Sequence, residues 1–349
     1  MSVDVVSVDP LVDPRWLALT EAPGAGLFHS RPWLATLVEA YGFPIRALIA
    51  VDATDTPVAG IAYCELDDLR GRRIVALPFT DAADPLGASP DAFAAMRARL
   101  EAAGQPLQLR LLDASWDGLA EGWTVTKRAR WHRLDVAQDE DTLWSRMSAS
   151  MRRAVRKAER DGVVVRPLEG EAGLAAFVAM HRTLRRSKYR LLAQPPAFFD
   201  AMRRSFAAVD GWHALGAYLD GTLVAATVYL RWRTRLYYKF NTSAHESLGA
   251  RPNNLLVWSG IRLARALGCD TLDLGPSDDD QPGLIRFKRD TGAFESELRF
   301  LHWTPPAGVD PKAVEAGRFL GAMTELLTAP GVPDDVVGRA GTLLYRYFA

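Results

Sequence analysis

The sequence of 349 residues is poor in cysteine, lacks long apolar runs and carries no net charge. Its two cysteines, Cys64 and Cys269, lie in apolar surroundings without metal-ligand spacing, which favours buried free thiols over a disulfide. No apolar run approaches the roughly 20 residues that span a bilayer, and residues 1–10 lack the basic and apolar blocks of a signal peptide. We therefore expect a cytoplasmic protein with no transmembrane segment.

The 42 basic residues balance 42 acidic ones, so the chain as a whole has no charge signature for DNA. A phosphate-bearing partner needs a local basic patch instead. The six histidines are scattered without i, i+4 pairs, and no Walker loop or G-x-G-x-x-G motif occurs, which argues against a metal site and against nucleotide hydrolysis. A nucleophile elbow and a catalytic-cysteine context are also missing, so a direct, one-step transfer fits better than a covalent enzyme intermediate.

A hairpin pattern occurs twice along the chain. Apolar runs at residues 45–51 and 58–63 flank a polar turn, and runs at 214–219 and 223–229 flank Asp220-Gly221, a strong hairpin signal. The two patterns are offset by 166 to 167 residues, and a strand, a helix and another strand follow each of them. Repetition on this scale predicts two α/β domains, each with a mixed sheet flanked by helices.

The predicted domains are residues 1–145 and 146–349, joined near a long helical stretch predicted over residues 141–160. Within residues 150–160, Glu159 is the only acid, and five cations cover one broad face of the helix: Arg152, Arg153, Arg156, Lys157 and Arg160. A second basic cluster at residues 185–190, which includes Lys188, ends a later helix, where the helix dipole explains part of it. Together the clusters predict a groove for the phosphates of a carrier, and a solvated helix surface is the alternative.

A strand at residues 237–241 is predicted to place Tyr238 and Phe240 on one face. The other face then holds Tyr237, Lys239 and Asn241 as a polar row.

Two asparagines, Asn253 and Asn254, open the next helix, where free N–H groups can meet an anion, although N-capping by asparagine is the commoner explanation. An acidic loop and residues 283–292 follow the strand at 271–274. There Lys288, next to Phe287, can offer a cation to a developing oxyanion, and a surface lysine is the alternative.

Four stretches, residues 27–34, 77–86, 150–163 and 283–292, carry a family resemblance. The last two contain R-R-x-x-R-K-A-E-x-x-G-V and G-L-x-R-F-K-x-x-x-G, the more specific patterns. In these stretches the chain resembles the FemAB-type branch of the GNAT acyltransferase superfamily, tandem-GNAT proteins that include aminoacyl-tRNA-dependent transferases of cell-wall interpeptide bridges. The coiled-coil arm of some tRNA-using members is absent, and so is the R/Q-x-x-G-x-G/A motif of single-domain, acetyl-CoA-using members.

The resemblance implies two GNAT-like domains, each a mixed, mostly antiparallel sheet flanked by helices, with a cleft between them. It implies an N-acyltransferase that passes an acyl or aminoacyl group from acyl-CoA or aminoacyl-tRNA to an amine acceptor by direct aminolysis, with no tightly bound cofactor. The N-terminal domain is then the acceptor side and the C-terminal domain the donor side. The alternative is a non-catalytic tandem-GNAT binding or scaffold protein in a cell-envelope or exopolysaccharide system.

Three residues are expected to be catalytic: Lys288 at the oxyanion or the donor phosphate, and Tyr238 or Asp273 in proton transfer. Phe287 and Lys288 match the family's Phe-Lys pair at the acyl end of the donor. The residues expected to bind the donor are Arg152, Arg153, Arg156, Lys157, Lys188, Asn253, Asn254 and Phe287. Those expected to bind the acceptor are Phe79, Asp81, Asp84, Lys239 and Asn241.

Overall fold

The computed structural model describes residues 3–22, 24–87, 89–113 and 122–349. The strands, in chain order, are β1 (Asp4–Val8), β2 (Ile45–Val51), β3 (Pro57–Asp68), β4 (Gly71–Val75), β5 (Leu86–Gly87), β6 (Leu107–Leu111), β7 (Thr124–Asp135), β8 (Val164–Pro167), β9 (Trp212–Leu219), β10 (Thr222–Trp232), β11 (Arg235–Ser243), β12 (Thr271–Asp278) and β13 (Phe294–Trp303). The α-helices are α1 (Pro14–Thr20), α2 (Arg31–Tyr41), α3 (Pro90–Glu101), α4 (Glu140–Arg146), α5 (Ala149–Arg160), α6 (Gly170–Tyr189), α7 (Pro196–Ala207), α8 (Pro252–Ala266), α9 (Pro282–Arg289), α10 (Pro311–Leu327) and α11 (Asp334–Leu344).

The chain forms two compact units. Unit 1 comprises Met1–Ala129, Glu297–Leu326 and Leu343–Ala349, and unit 2 comprises Arg130–Ser296 and Leu327–Thr342. The chain passes from unit 1 to unit 2 within β7 and returns within β13, so the division differs from the predicted boundary at residues 145 and 146. A change of unit inside a strand leaves no break in composition or periodicity for a sequence pattern to mark. The assignment of acceptor and donor sides stays a prediction.

In unit 1 the strand order is β1-β2-β3-β4-β6-β13, and β5 adds a short pairing to β3. All of these pairs are antiparallel except β4 with β6, which are parallel with Ile74 opposite Leu107. The β2–β3 hairpin confirms the first predicted hairpin. Helix α3 packs Phe93 and Met96 against the sheet, and both side chains are buried.

In unit 2 the strand order is β7-β12-β11-β10-β9-β8. The pairs from β8 to β11 are antiparallel, and β11 with β12 are parallel. The β9–β10 hairpin confirms the second predicted hairpin: Asp220 and Gly221 both have positive φ, as its tight turn requires. The mixed, mostly antiparallel sheets flanked by helices are the predicted fold class.

Helix α8 lies against the sheet of unit 2 at a position that only glycine allows. A Cβ on Gly260 would come within 2.2 Å of the Tyr229 hydroxyl, which donates a hydrogen bond of 3.0 Å to the Leu256 carbonyl. Tyr229 is fully buried, so its ring cannot move aside without disturbing the core. This contact fixes the distance between α8 and β10.

The helix predicted over residues 141–160 is two helices, α4 and α5. The chain is extended at Met147 and Ser148, and the Ser148 side chain accepts a hydrogen bond from the Met151 N–H to begin α5. A serine N-cap of this kind ends one helix and starts the next without a glycine or proline.

Both cysteines are buried free thiols, as predicted. Burial raises the pKa of the Cys64 thiol to about 12 and also raises the pKa of Cys269. In the part of the chain that the structure describes, no helix combines the length and the hydropathy that a bilayer crossing requires.

Candidate active site

The parallel strands β11 and β12 of unit 2 pair only at their beginnings. Arg235–Tyr237 lie opposite Thr271–Asp273, whereas β11 continues to Ser243 and β12 to Asp278. The unpaired ends, residues 238–243 and 274–278, form an opening that we call the wedge. It lies at the carboxyl ends of two parallel strands, where α/β folds commonly bind ligands.

A cationic pocket of about 560 Å³ lies between the segments that follow these two strands. Its cations are Arg153 and Lys157 from α5, Arg251 from the residue before α8, and Arg286 from α9. The rest of the described lining is Ser150, Met151, Ala154, Asn254, Phe287 and Asp290, in which Asp290 is the one acid. The excess of positive charge suits a phosphate-bearing ligand.

Helix α8 begins at this pocket. Arg251 has a φ of 60°, which turns the chain into the helix, and no side chain caps the helix start. Capping by Asn253 or Asn254, the commoner interpretation, is therefore wrong, because a left-handed residue occupies the cap position. Asn254 instead places its Nδ2 3.1 Å from the Met151 sulfur of α5. The first-turn N–H groups and the helix dipole add to the positive potential of the pocket.

The basic helix α5 presents its cations in two directions. Arg153 and Lys157 line the pocket, and Lys157 also pairs with Asp161. The Arg152 guanidinium donates to the carbonyls of Ser145 (2.8 Å) and Met147 (2.5 Å) at the end of α4. The sequence predicted one broad basic face, but the break between α4 and α5 leaves carbonyls that attract Arg152.

Two further predicted donor ligands contact aromatic rings outside the described pocket lining. The Arg156 guanidinium lies 5.3 Å from the centre of the Trp144 ring, and Lys188 Nζ lies 5.1 Å from the centre of the Tyr189 ring. The structure thus groups Arg153, Lys157, Asn254 and Phe287 at the pocket, and places Arg152, Arg156 and Lys188 elsewhere. Sequence analysis missed Arg251 and Arg286, although Arg286 stands in the stretch at residues 283–292 and Arg251 is two residues before Asn253.

A β-bulge in β11 changes the predicted faces of this strand. Val228 lies opposite Phe240 and Tyr229 opposite Tyr238, so Lys239 is the extra residue. Lys239 places its Nζ 5.3 Å from the centre of the Phe240 ring. Tyr238 and Phe240 therefore lie on opposite faces, and the predicted shared face is wrong because simple alternation does not anticipate an inserted residue.

On one face of β11 a chain of hydrogen bonds leads to the start of α8. The Asn241 Nδ2 donates to Thr227 Oγ1 at 2.9 Å and to Asn253 Oδ1 at 3.3 Å, and Asn253 Nδ2 donates to Ser243 Oγ at 3.1 Å. Tyr238 also hydrogen-bonds to Thr227, and burial raises the pKa of its phenol well above the ordinary value. Asn241, predicted to bind the acceptor, and Asn253, predicted to bind the donor, thus belong to one network.

Asp273 and Lys288 are buried beside the wedge. The Asp273 carboxylate accepts hydrogen bonds from Trp131 Nε1 (3.0 Å), Arg133 Nε (3.0 Å) and the Gly275 N–H (2.8 Å). Its side chain is 1% exposed, and this burial raises the pKa of the carboxyl, with Arg133 opposing the shift.

Lys288 is 4% exposed and is held by the backbone of β12. Its Nζ donates to the carbonyls of Gly275 (3.0 Å) and Pro276 (2.7 Å). The neighbouring Arg286 and Phe287 turn to the cationic pocket, whereas Lys288 turns to the strand. The alternative interpretation, that Lys288 is a surface lysine, is therefore wrong.

The loop of residues 77–84 in unit 1 holds the predicted acceptor ligands Phe79, Asp81 and Asp84. Phe79 has a φ of 55°, and its ring centre lies 5.0 Å from that of Tyr41 and 4.9 Å from that of Tyr345. Burial lowers the pKa of Arg110, and the nearby charge of Asp81 opposes this shift.

The same loop fills the carboxyl-end opening of the parallel pair β4 and β6. The Ala76 N–H donates to the Gln108 carbonyl (2.8 Å), the Ala83 N–H to the Arg110 carbonyl (3.0 Å), and the Leu112 N–H to Asp84 Oδ1 (2.8 Å). The edge of β6 is thus occupied at every second residue. Unit 1 has the strand arrangement of the wedge but closes it with its own chain.

Comparison with known proteins shows what the domain and the fold are similar to. Residues 145–289 match the family model described as an acetyltransferase (GNAT) domain. FemX is similar in structure, with a TM-score of 0.65 and 13% identity over 85% of this chain and 96% of that one. L-PGS from Bacillus licheniformis has a TM-score of 0.54 and 12% identity over 90% and 98% of the two chains.

A tandem GNAT protein from the clavulanic acid biosynthesis pathway likewise has a TM-score of 0.54 and 12% identity, over 89% of this chain and 99% of that one. No curated protein matches the sequence. At these identities the structural likenesses establish the fold, and the matched family model establishes the kind of domain. Residues 145–289 therefore match a GNAT acetyltransferase domain, and the chain as a whole has the fold of the tandem-GNAT structures.

Proposed function

We propose that the chain is an N-acyltransferase that moves an acyl or aminoacyl group from acyl-CoA or aminoacyl-tRNA to an amine, with the donor bound in unit 2. The observation that carries this proposal is the wedge of unit 2 with a cationic pocket beside it. Both carriers combine phosphates with an activated carbonyl, so both need positive charge next to a space for the reacting end.

The phosphates fit the cationic pocket. Arg153, Lys157, Arg251 and Arg286 supply charge from three separate segments, and the uncapped start of α8 supplies backbone N–H donors. The reacting end of the carrier lies along the wedge, where β11 has no pairing with β12 after Tyr237. We assign the edge of β11 along this stretch, where it does not pair with β12, to orienting the carbonyl.

The transfer needs no covalent enzyme intermediate. The amine attacks the carbonyl carbon, a tetrahedral oxyanion forms, and the bond to the carrier sulfur or oxygen breaks as the acyl group stays on nitrogen. The amine gives up one proton and the leaving thiolate or alkoxide gains one. Because burial keeps the Tyr238 phenol protonated, we assign Tyr238 to giving a proton to the leaving group. The proton that the amine loses passes to solvent, and solvent returns one to the Tyr238 oxygen.

Unit 1 supports this division of roles. Its equivalent opening is filled by residues 77–84, and Asp84 Oδ1 accepts hydrogen bonds from the backbone N–H groups of Leu112 and Asp113. Unit 1 therefore has no open wedge within its described residues, and we assign it to the acceptor. Phe79, Asp81, Lys239 and Asn241 stay candidates for acceptor contacts.

The test is transfer itself. Purified protein is mixed with a panel of amines and, in separate reactions, with radiolabelled acetyl-CoA or with tRNA charged with radiolabelled amino acids. Label that moves to an amine supports the proposal, and sensitivity of the reaction to RNase identifies tRNA as the carrier. Binding of a carrier without transfer to any amine would instead favour a non-catalytic binding protein.

A further inference from the structure

The end of the β11–β12 ladder is set by the orientation of the β12 backbone. The Thr271 N–H faces β11, because it donates to the carbonyl of Thr234, the residue before that strand. Backbone groups of alternate residues in a strand point to the same side, so Asp273 and then Gly275 face β11 in turn. Tyr237 opposite Asp273 is the last pair, and Gly275 would make the next rung.

Both backbone groups of Gly275 already have side-chain partners. Its N–H donates to Asp273 Oδ1 at 2.8 Å, and its carbonyl accepts from Lys288 Nζ at 3.0 Å. The same Nζ donates to the carbonyl of Pro276, which has no N–H to offer a ladder. Gly275 itself has a φ of 67°, which turns the chain out of the extended conformation. The strand therefore has nothing free to pair with β11 at this point.

We propose that Asp273 and Lys288 are positioning residues that hold the wedge open by satisfying the backbone of Gly275 and Pro276. This inference rests on the proposed function, since it is the donor that the open wedge admits. Neither side chain is free to move, because Asp273 and Lys288 are almost completely buried. Asp273 is also held by hydrogen bonds from Trp131 and Arg133. Lys288 acts on the donor through the shape of β12, and not by contact with the reacting carbonyl.

The decisive variant is Lys288→Met, which keeps the length and removes the donor group. Its matched control is Arg289→Met, the next residue of α9, which loses the same charge but points to Glu295. The probe is unreactive coenzyme A in titration calorimetry, or deacylated tRNA if RNase identifies that carrier. We expect Lys288→Met to raise Kd about tenfold or more, the effect of losing hydrogen bonds to a charged group, and Arg289→Met to leave it unchanged.

Hydrogen exchange gives a second measurement that needs no donor. In Lys288→Met, exchange is expected to change at residues 238–243 and 271–278 and nowhere else, because the freed carbonyls alter the two strand edges. Unchanged exchange there, or an unchanged Kd with kcat lowered at least a hundredfold, would overturn the inference and place Lys288 at the reacting atoms.

Two further measurements separate failure of this inference from misfolding of the variant and from failure of the proposed function. If Lys288→Met does not fold, Lys288→Arg replaces it, since a guanidinium can still donate to both carbonyls. Binding by Lys288→Arg within a few-fold of the wild type supports the inference, and full loss of transfer with binding intact overturns it. If the wild type binds neither carrier, the proposed function fails, whereas the exchange measurement still decides whether Lys288 shapes the wedge.

Discussion

Replacing Arg286 by alanine is expected to weaken binding of the donor without slowing the transfer step. Arg286 lines the cationic pocket, whereas Arg289, one helical turn away on α9, donates to Glu295 at 2.7 Å and 2.8 Å. A hydrogen bond between a guanidinium and a phosphate contributes about 1.5–3 kcal/mol. Arg286 is exposed to solvent, which weakens such a contact, so we expect a smaller loss of about 1–2 kcal/mol, which corresponds to a rise in Kd of about 5- to 30-fold.

The assay is the initial rate of transfer as a function of donor concentration, for Arg286→Ala, for the control Arg289→Ala and for the wild type. The carrier phosphate is bound equally in the ground and transition states, so KM for the donor is expected to rise while kcat stays constant. The rise in KM with salt is also expected to become less steep in Arg286→Ala, because one charge contact is lost. Equal losses in the two variants, or a fall in kcat alone, would refute the pocket assignment.

Three further predictions concern stability. Arg152→Ala is expected to lower the free energy of unfolding by about 1–2 kcal/mol in urea without changing donor KM, because its guanidinium closes the carbonyls of α4; a changed KM would contradict this. Gly260→Ala is expected to cost about 1–3 kcal/mol by the clash with Tyr229, and an unchanged Tm would show that α8 can shift. Burial lowers the pKa of His29 and His181 to about 4 from 6.5, so the stability that each contributes is complete above pH 6.5 and falls towards pH 4. At pH 5 each of these histidines is expected to lower the free energy of unfolding by about 2 kcal/mol relative to neutral pH. In urea, the stability of His181→Phe should therefore depend less on pH than that of the wild type.

The sequence predicts the order of elements in both halves because each hairpin is local. Alternating apolar residues and the Asp220-Gly221 turn determine β9 and β10 without help from distant residues. The bulge at Lys239 is different, because an inserted residue leaves the composition of β11 unchanged and is visible only against β10. The faces of Tyr238 and Asn241 could therefore not be predicted from alternation alone.

The candidate site depends still more on tertiary structure. The pocket gathers cations from α5, from the residue before α8 and from α9, segments that are far apart in sequence. The basic composition of α5 predicts a phosphate site, but which of its cations reach the pocket depends on the break at Ser148. Because that break turns Arg152 towards α4, cations that look equivalent in the sequence lie in different surroundings: Arg153 and Lys157 line the pocket, whereas Arg152 does not.

The two units use one strand arrangement in opposite ways. In unit 1 the segment between β4 and α3 folds back on the edge of β6 and takes up its hydrogen bonds through Ala83 and Asp84. In unit 2 the segment between β11 and α8 is shorter and leaves the edge of β12, where side chains satisfy the groups of Gly275 instead. A strand edge closed by backbone is fixed, whereas an edge closed by two side chains leaves space beside it. In the proposed function the repeated fold therefore provides one donor site rather than two, and we assign the difference to Lys288 and Asp273.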